Sequence, residues 1–139
     1  MTETYTLLDH TADLRIRVSG TDPADLFQNA GLALFDLIAD PVRLKPREII
    51  EVAVTGDDPA DLMVNYLREL LYLWTGEEKL VERIDIVHLT DTAVSARVSA
   101  DRYQPGRHEI RNEIKAVTYH QIEVSRTESG WRAMVVFDI

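Results

Sequence analysis

The sequence predicts an α+β domain: a largely antiparallel β-sheet with two main α-helices in a single compact domain. Three observations carry this. Two segments, 22–40 and 58–75, repeat apolar residues at helical spacing, and six others are short and strand-like. Element types alternate at first, and the rest of the chain is β-like, its last two strands reading as a hairpin. The chain has 139 residues, 45% of them hydrophobic, enough for one core and one domain.

Taken in order, Leu14-Arg-Ile-Arg-Val18 alternates apolar and polar residues like a half-buried strand. The helix at 22–40 follows. Asp22 caps it, Pro23 suits its first turn and Asp25 faces the positive end of the helix dipole. Leu26, Phe27, Ala30, Leu34, Leu37 and Ile38 make one broad apolar face, and Asp40-Pro41 ends the helix. Ile49 to Val54 is a second strand. The helix at 58–75 then presents Leu62, Met63, Tyr66, Leu67, Leu70, Leu71 and Trp74 to the core, so the Leu26/Phe27/Leu34 and Leu67/Leu70/Trp74 faces are expected to be buried. Strands follow at 84–89, 93–98, 116–124 and 131–137, the last two joined as a hairpin by the turn Glu128-Ser-Gly130.

Gly20-Thr-Asp-Pro-Ala-Asp-Leu26 and Gly56-Asp-Asp-Pro-Ala-Asp-Leu62 echo one another, and Asn29 aligns with Asn65. Either a strand–turn–helix unit was duplicated, or the same capping physics selected the same residues twice.

Composition excludes several functions. There is no cysteine, hence no disulfide, no thiolate zinc site and no cysteine nucleophile. His10, His88, His108 and His120 have no zinc-ligand spacing. Neither a GxGxxG nor a P-loop occurs, and no GxSxG elbow. No signal peptide or membrane-length apolar run is seen, so a cytoplasmic setting is expected. Net charge is −9, from 15 Lys and Arg against 24 Asp and Glu. That balance opposes tight independent binding of nucleic acid and suits a basic protein partner, besides keeping the chain soluble.

The remaining chemistry gathers in three segments. At the end of the sequence, Asp138 stands beside the Ile139 main-chain carboxylate, after what reads as a buried strand. Close carboxylates repel unless a cation intervenes, and oxygen-only ligation favours calcium, or magnesium, over zinc. Asp9-His10-Thr-Ala-Asp13 offers two carboxylates, an imidazole and a hydroxyl in five residues. These are ordinary turn residues, but Asp13, Asp138 and Ile139 would form a divalent metal site if they converge. Glu113-Ile-Lys115-Ala-Val-Thr118-Tyr119-His120 is the third segment. Alternation would put Lys115 and Tyr119 on one face and Thr118 and His120 on the other. Lys115 could meet phosphate or a partner carboxylate, or simply be solvated.

Together, Asp9-His-Thr-Ala-Asp13, Gly56-Asp-Asp58, Lys115-Ala-Val-Thr-Tyr119 and Val136-Phe-Asp138-Ile139 resemble the archease family over nearly the full length. The resemblance implies sheets flanked by two helices. It also implies a non-catalytic accessory protein that activates an RtcB-type RNA ligase in transfer-RNA splicing and RNA repair, by promoting guanylylation of the ligase's histidine. The family's metal ligands fall on Asp13, Asp138 and Ile139 and its lysine on Lys115; Asp9, His10 and His120 would line the site or touch the partner. Two other readings of the same residues are a metal-dependent hydrolase and a chaperone-like interaction module with an acidic surface.

Overall fold

The computed structural model describes residues 4–9 and 13–139. Among them are seven strands, β1 Tyr5–Asp9, β2 Asp13–Gly20, β3 Glu48–Thr55, β4 Lys79–Leu89, β5 Ala93–Arg102, β6 Ala116–Thr127 and β7 Gly130–Asp138, and two α-helices, α1 Pro23–Ile38 and α2 Pro59–Thr75. A one-turn 3-10 helix, Pro41–Arg43, follows α1, with the Asp40 side chain accepting from the Val42 N–H. Both expected helices are present, and every expected strand is present and longer than its apolar run. Strand β1 was not expected; it is only five residues long and runs into the Asp9-to-Asp13 segment, whose residue types are those of turns.

The strands form two antiparallel sheets, ordered β1-β2-β7-β6 and β3-β5-β4. Each helix touches both sheets: α1 packs on β2 and β4, and α2 on β6 and β3. The helices are thus a middle layer, and the expectation of sheets flanked by helices is refined accordingly. The cause is visible in α1, which buries ten of its sixteen residues. A helix apolar on nearly every side must be covered on nearly every side.

Period-two alternation fixes the register of the four-stranded sheet. Leu14, Ile16 and Val18 of β2 lie opposite Phe137, Val135 and Ala133 of β7, and all six are buried. Their neighbours Asp13, Arg15 and Arg17 therefore project from the outward face. Of the apolar faces expected to be buried, Leu26, Phe27, Leu34, Leu67 and Leu70 are almost wholly so. Trp74 is only half-buried, its ring edge-on to Tyr103 at 5.3 Å.

The two echoed segments adopt the same hydrogen-bonded unit. Asp22 accepts from the Asp25 N–H and Asp58 from the Asp61 N–H, both at 2.8 Å. In return Asp25 accepts from the Thr21 N–H and Asp61 from the Asp57 N–H, again at 2.8 Å. Asn29 donates to the Ser19 carbonyl and Asn65 to that of Thr55. The last pair ties each helix to its preceding strand, which capping alone does not require.

Gly31 marks a tight point of the middle layer, where a Cβ would lie 2.5 Å from Ile84 Cδ1. It would also lie 2.8 Å from both Leu70 Cδ1 and the Tyr66 hydroxyl. Alanine would gain about 1 kcal/mol of helix propensity, but overpacking in a closed core costs roughly 1–3 kcal/mol. Gly31→Ala is therefore expected to lower the urea midpoint modestly; a raised midpoint would show that the layer has slack.

Among the described residues, no helix is long and apolar enough to cross a membrane.

Candidate metal corner

Asp13 opens β2 and Asp138 closes β7, and the two are direct cross-strand partners. On an antiparallel pair this puts their Cβ atoms about 4.5–5.5 Å apart on one face, a placement in which like charges destabilise. Asp138 is simultaneously the partner of Ala116 on β6, and its carbonyl oxygen accepts from the Lys115 N–H at 2.8 Å. The ends of three strands thus meet at Asp138, with Asp13 on one side and Lys115-Ala116 on the other. Asp138 and Lys115 are exposed, Asp13 is half-buried, and Ile139 follows directly as an exposed residue.

A pinned connection delivers Lys115 to this corner. Residues 103–115 run from β5 back to β6 without regular structure of their own. At the near end, Asp101 is 3% exposed and gathers the Lys45 N–H (2.8 Å), the Arg107 guanidinium (2.7 Å) and His108 Nε2 (3.0 Å). The Gln104 N–H donates to His108 Nδ1, so the imidazole proton sits on Nε2 and points at Asp101. Arg107 Nε, 3.2 Å from the same Nε2, is then a packing neighbour and not a donor. Burial pushes the Asp101 carboxyl up, but these three donors outweigh it and hold it below its ordinary range. Further along, the Arg111 N–H and the Asn112 side chain donate to the carbonyls of Ile38 and Leu37. They satisfy groups that the end of α1 would otherwise leave open. Ile114 is then buried, and Lys115 emerges beside Asp138.

The remaining expected residues divide. Asp9 ends β1 opposite Arg15, two residues from Asp13, so its backbone lies near the corner. His10 falls outside the described residues. His120 is exposed and lies past Thr118, where β6 loses register with β7 up to Glu123 and Gln121 takes a φ of 57°. It sits at this irregularity, away from the row of Asp13, Asp138 and Ala116. Lys115 precedes β6 instead of lying within a regular strand face. Tyr119 turns to α2, donating to Asp61 at 2.7 Å, while Arg68 stacks on its ring at 4.6 Å and donates to the Val117 carbonyl. The Asp57 N–H, together with Tyr119, holds Asp61 below its ordinary range.

The corner's donors are carboxylate oxygens, a hard set of the kind that calcium and magnesium take. Among the described residues no group of three His, Asp or Glu side chains converges. The sequence marks Arg15 only as a polar position of an alternating strand. It lies two residues from Asp13 on the same face, and only the strand register reveals it as part of the corner's surroundings.

A helix layer between two antiparallel sheets, with paired carboxylates where three strands meet, defines the class of domain. Residues 5–139 match the Archease protein family. Protein archease of Methanosarcina mazei is 36% identical over 139 residues, covering 97% of this chain and 95% of that protein. Protein archease of Pyrococcus abyssi is 32% identical over 135 residues, covering 94% and 95%. The solution structure of Methanobacterium thermoautotrophicum protein 1598 superposes with a TM-score of 0.81 at 27% identity, covering 98% of this chain and 99% of that one. The chain belongs to the archease family.

Proposed function

We propose that this chain is a non-catalytic accessory protein of an RtcB-type RNA ligase, acting in transfer-RNA splicing and RNA repair in the cytoplasm. It promotes guanylylation of the ligase and so sustains multiple turnover. Family membership motivates the partner. The observation that supports the site is the direct pairing of Asp13 with Asp138.

Asp13, Asp138 and the Ile139 main-chain carboxylate hold one divalent cation, calcium by preference and magnesium as the substitute. Bound there, the cation supplies charge neutralisation and a fixed shape. The chain's own residues do the rest. The β2–β7 ladder holds the two carboxylates in register, and the bond from the Lys115 N–H to Asp138 fixes the Lys115 backbone beside them. The Lys115 ammonium then contacts a phosphate or carboxylate of the ligase.

Ligation of cyclic-phosphate RNA tests the reading, with the ligase alone, the chain alone and both together. Sustained turnover only in the mixture supports it. Hydrolysis by the chain alone would point to a metal-dependent hydrolase, and stimulation of unrelated enzymes to a chaperone-like module.

Extending the chain beyond Ile139 gives a second test. A peptide appended there converts the carboxylate into a neutral amide, so calorimetry should show weakened calcium binding. Unchanged affinity would remove Ile139 from the site.

A further inference from the structure

Three arginines stand on the outward face of the four-stranded sheet, which also carries Asp13 and Asp138 at one end and Glu123 beside Arg132. Arg15 and Arg17 of β2 and Arg132 of β7 all project from it, because the residues alternating with them point into the core. Arg17 lies opposite Met134 and Arg132 opposite Ser19, so Arg17 and Arg132 are diagonal neighbours and Arg15 continues the row. Arg132 donates to Glu123 at 3.2 Å. Among the residues whose side chains are described, Arg15 and Arg17 have no carboxylate partner; the backbone of Asp9 lies opposite Arg15. The Nε–H groups of Arg15 and Arg132 are shut off from solvent without an acceptor. An unmet buried donor is costly, and a native one calls for a reason.

A cleft of about 640 Å³ opens at the Arg17/Arg132 end of this row, lined also by Ser19, Ser129, Trp131 and Asp25. Asp25 is engaged, accepting from the Thr21 N–H and hydroxyl. At its base Gly130 takes a φ of 155°, and a Cβ there would strike the Gly20 carbonyl oxygen, so only glycine permits this approach of the two strand ends.

We propose that this face binds a single-stranded phosphodiester backbone, laid from the cleft along Arg132, Arg17 and Arg15 towards the Asp13/Asp138 corner. The six residue steps from Asp13 to Ser19 span about 20 Å at 3.3–3.4 Å each, room for several phosphates. Guanidinium and hydroxyl groups are the usual contacts to phosphate oxygens, and Arg presents a planar fork to them. Trp131 borders the cleft but packs against the core, so the contacts it leaves to the strand are those of the arginines and hydroxyls. An acidic protein partner fits less well, since interfaces centre on buried aromatic and aliphatic anchors, and between the arginines Val136 is covered and only the half-buried Met134 could serve as one. The net charge of −9 keeps the affinity low away from other RNA-binding groups. The proposal deepens the ligase reading by giving the substrate strand a path, but its test uses no ligase, so the two fail separately.

The test is fluorescence anisotropy of a short labelled oligouridylate against the whole chain over a salt series. Wild type should bind weakly, with an affinity that falls steeply with salt. Arg17→Ser should lower the log–log salt slope by about 0.7, the value of one phosphate contact on a single strand. Arg17→Ser/Arg132→Ser should weaken binding about tenfold or more, through two lost contacts. Arg17 is exposed and has no carboxylate partner among the described residues, so the single variant remains informative if the double one unfolds. Absence of binding at low salt, or a slope unchanged in Arg17→Ser, overturns the proposal. Equal competition by oligoglutamate also overturns it, identifying the face as a site for acidic protein.

Discussion

Asp138→Ala is expected to leave the fold intact, abolish cation binding and abolish ligase activation. The fold survives because Asp138 is exposed at a strand end and because its bond with Lys115 uses the backbone carbonyl, which alanine retains. Without a cation the variant should be at least as stable as wild type, since the substitution removes a like-charge pair directly across the strands. Calcium should reverse the order. A ligand that binds only the native state at a hundred times its dissociation constant adds about 2.7 kcal/mol, which wild type gains and the variant does not. Thermal melts with and without calcium check both signs. Asp13→Ala should behave alike, and Lys115→Ala should keep calcium binding yet lose activation. If all three variants fold and activate normally, the corner is not the surface that meets the ligase. Calcium stabilising Asp138→Ala as much as wild type would place the cation elsewhere.

Asp101→Ala is the substitution expected to cost most in stability. It removes the shared acceptor of the Lys45 N–H, the Arg107 guanidinium and His108 Nε2, at a site that is 3% exposed. Removing one partner of a buried pair costs about 3–5 kcal/mol, because the others stay behind unpaired. For a domain of this size that lowers Tm by roughly 10 °C or more. The pH dependence follows from the direction of the shift. The Asp101 carboxyl is held below its ordinary value of 3.8 in the folded state. Its contribution is therefore complete above that value and is lost as pH falls through the lower, folded value. Wild type should lose stability in acid more steeply than Asp101→Asn, which has no carboxylate to protonate. Parallel acid profiles would assign the network a packing role only. Because this cluster starts the connection that carries Lys115 to Asp138, Asp101→Ala should also weaken activation at temperatures where the domain still folds.

Much of the fold was legible because the signals were periodic or positional. Leu26 to Ile38 and Leu62 to Trp74 repeat at helical spacing, and Asp22-Pro23 and Asp58-Pro59 mark where each helix begins. The middle position of the helices was less visible. Burial on both sides shows only as small residues, such as Ala30, Gly31 and Ala33, between the large ones, and these say nothing about what covers them. Strand β1 was hidden by its length. At the site, Asp13 and Asp138 were found by their chemistry, but their adjacency is a property of the β2–β7 register, set by Leu14, Ile16 and Val18 facing inward. Arg15 and Arg17 read as the polar half of an alternating strand, which they are. Their grouping with Arg132 appears only once β7 is laid beside β2. His120 was placed by simple alternation, and the irregularity of β6 at Gln121 breaks that rule.

Guanylylation of the ligase histidine, followed through many turnovers, tests the central claim most directly. With the calcium-loaded wild-type chain, the guanylylated fraction should recover after each round and ligation should continue. With folded Asp138→Ala it should decay after about one turnover while the ligase remains intact. Equal recovery with both chains would contradict the account, since the corner would then contribute nothing to activation.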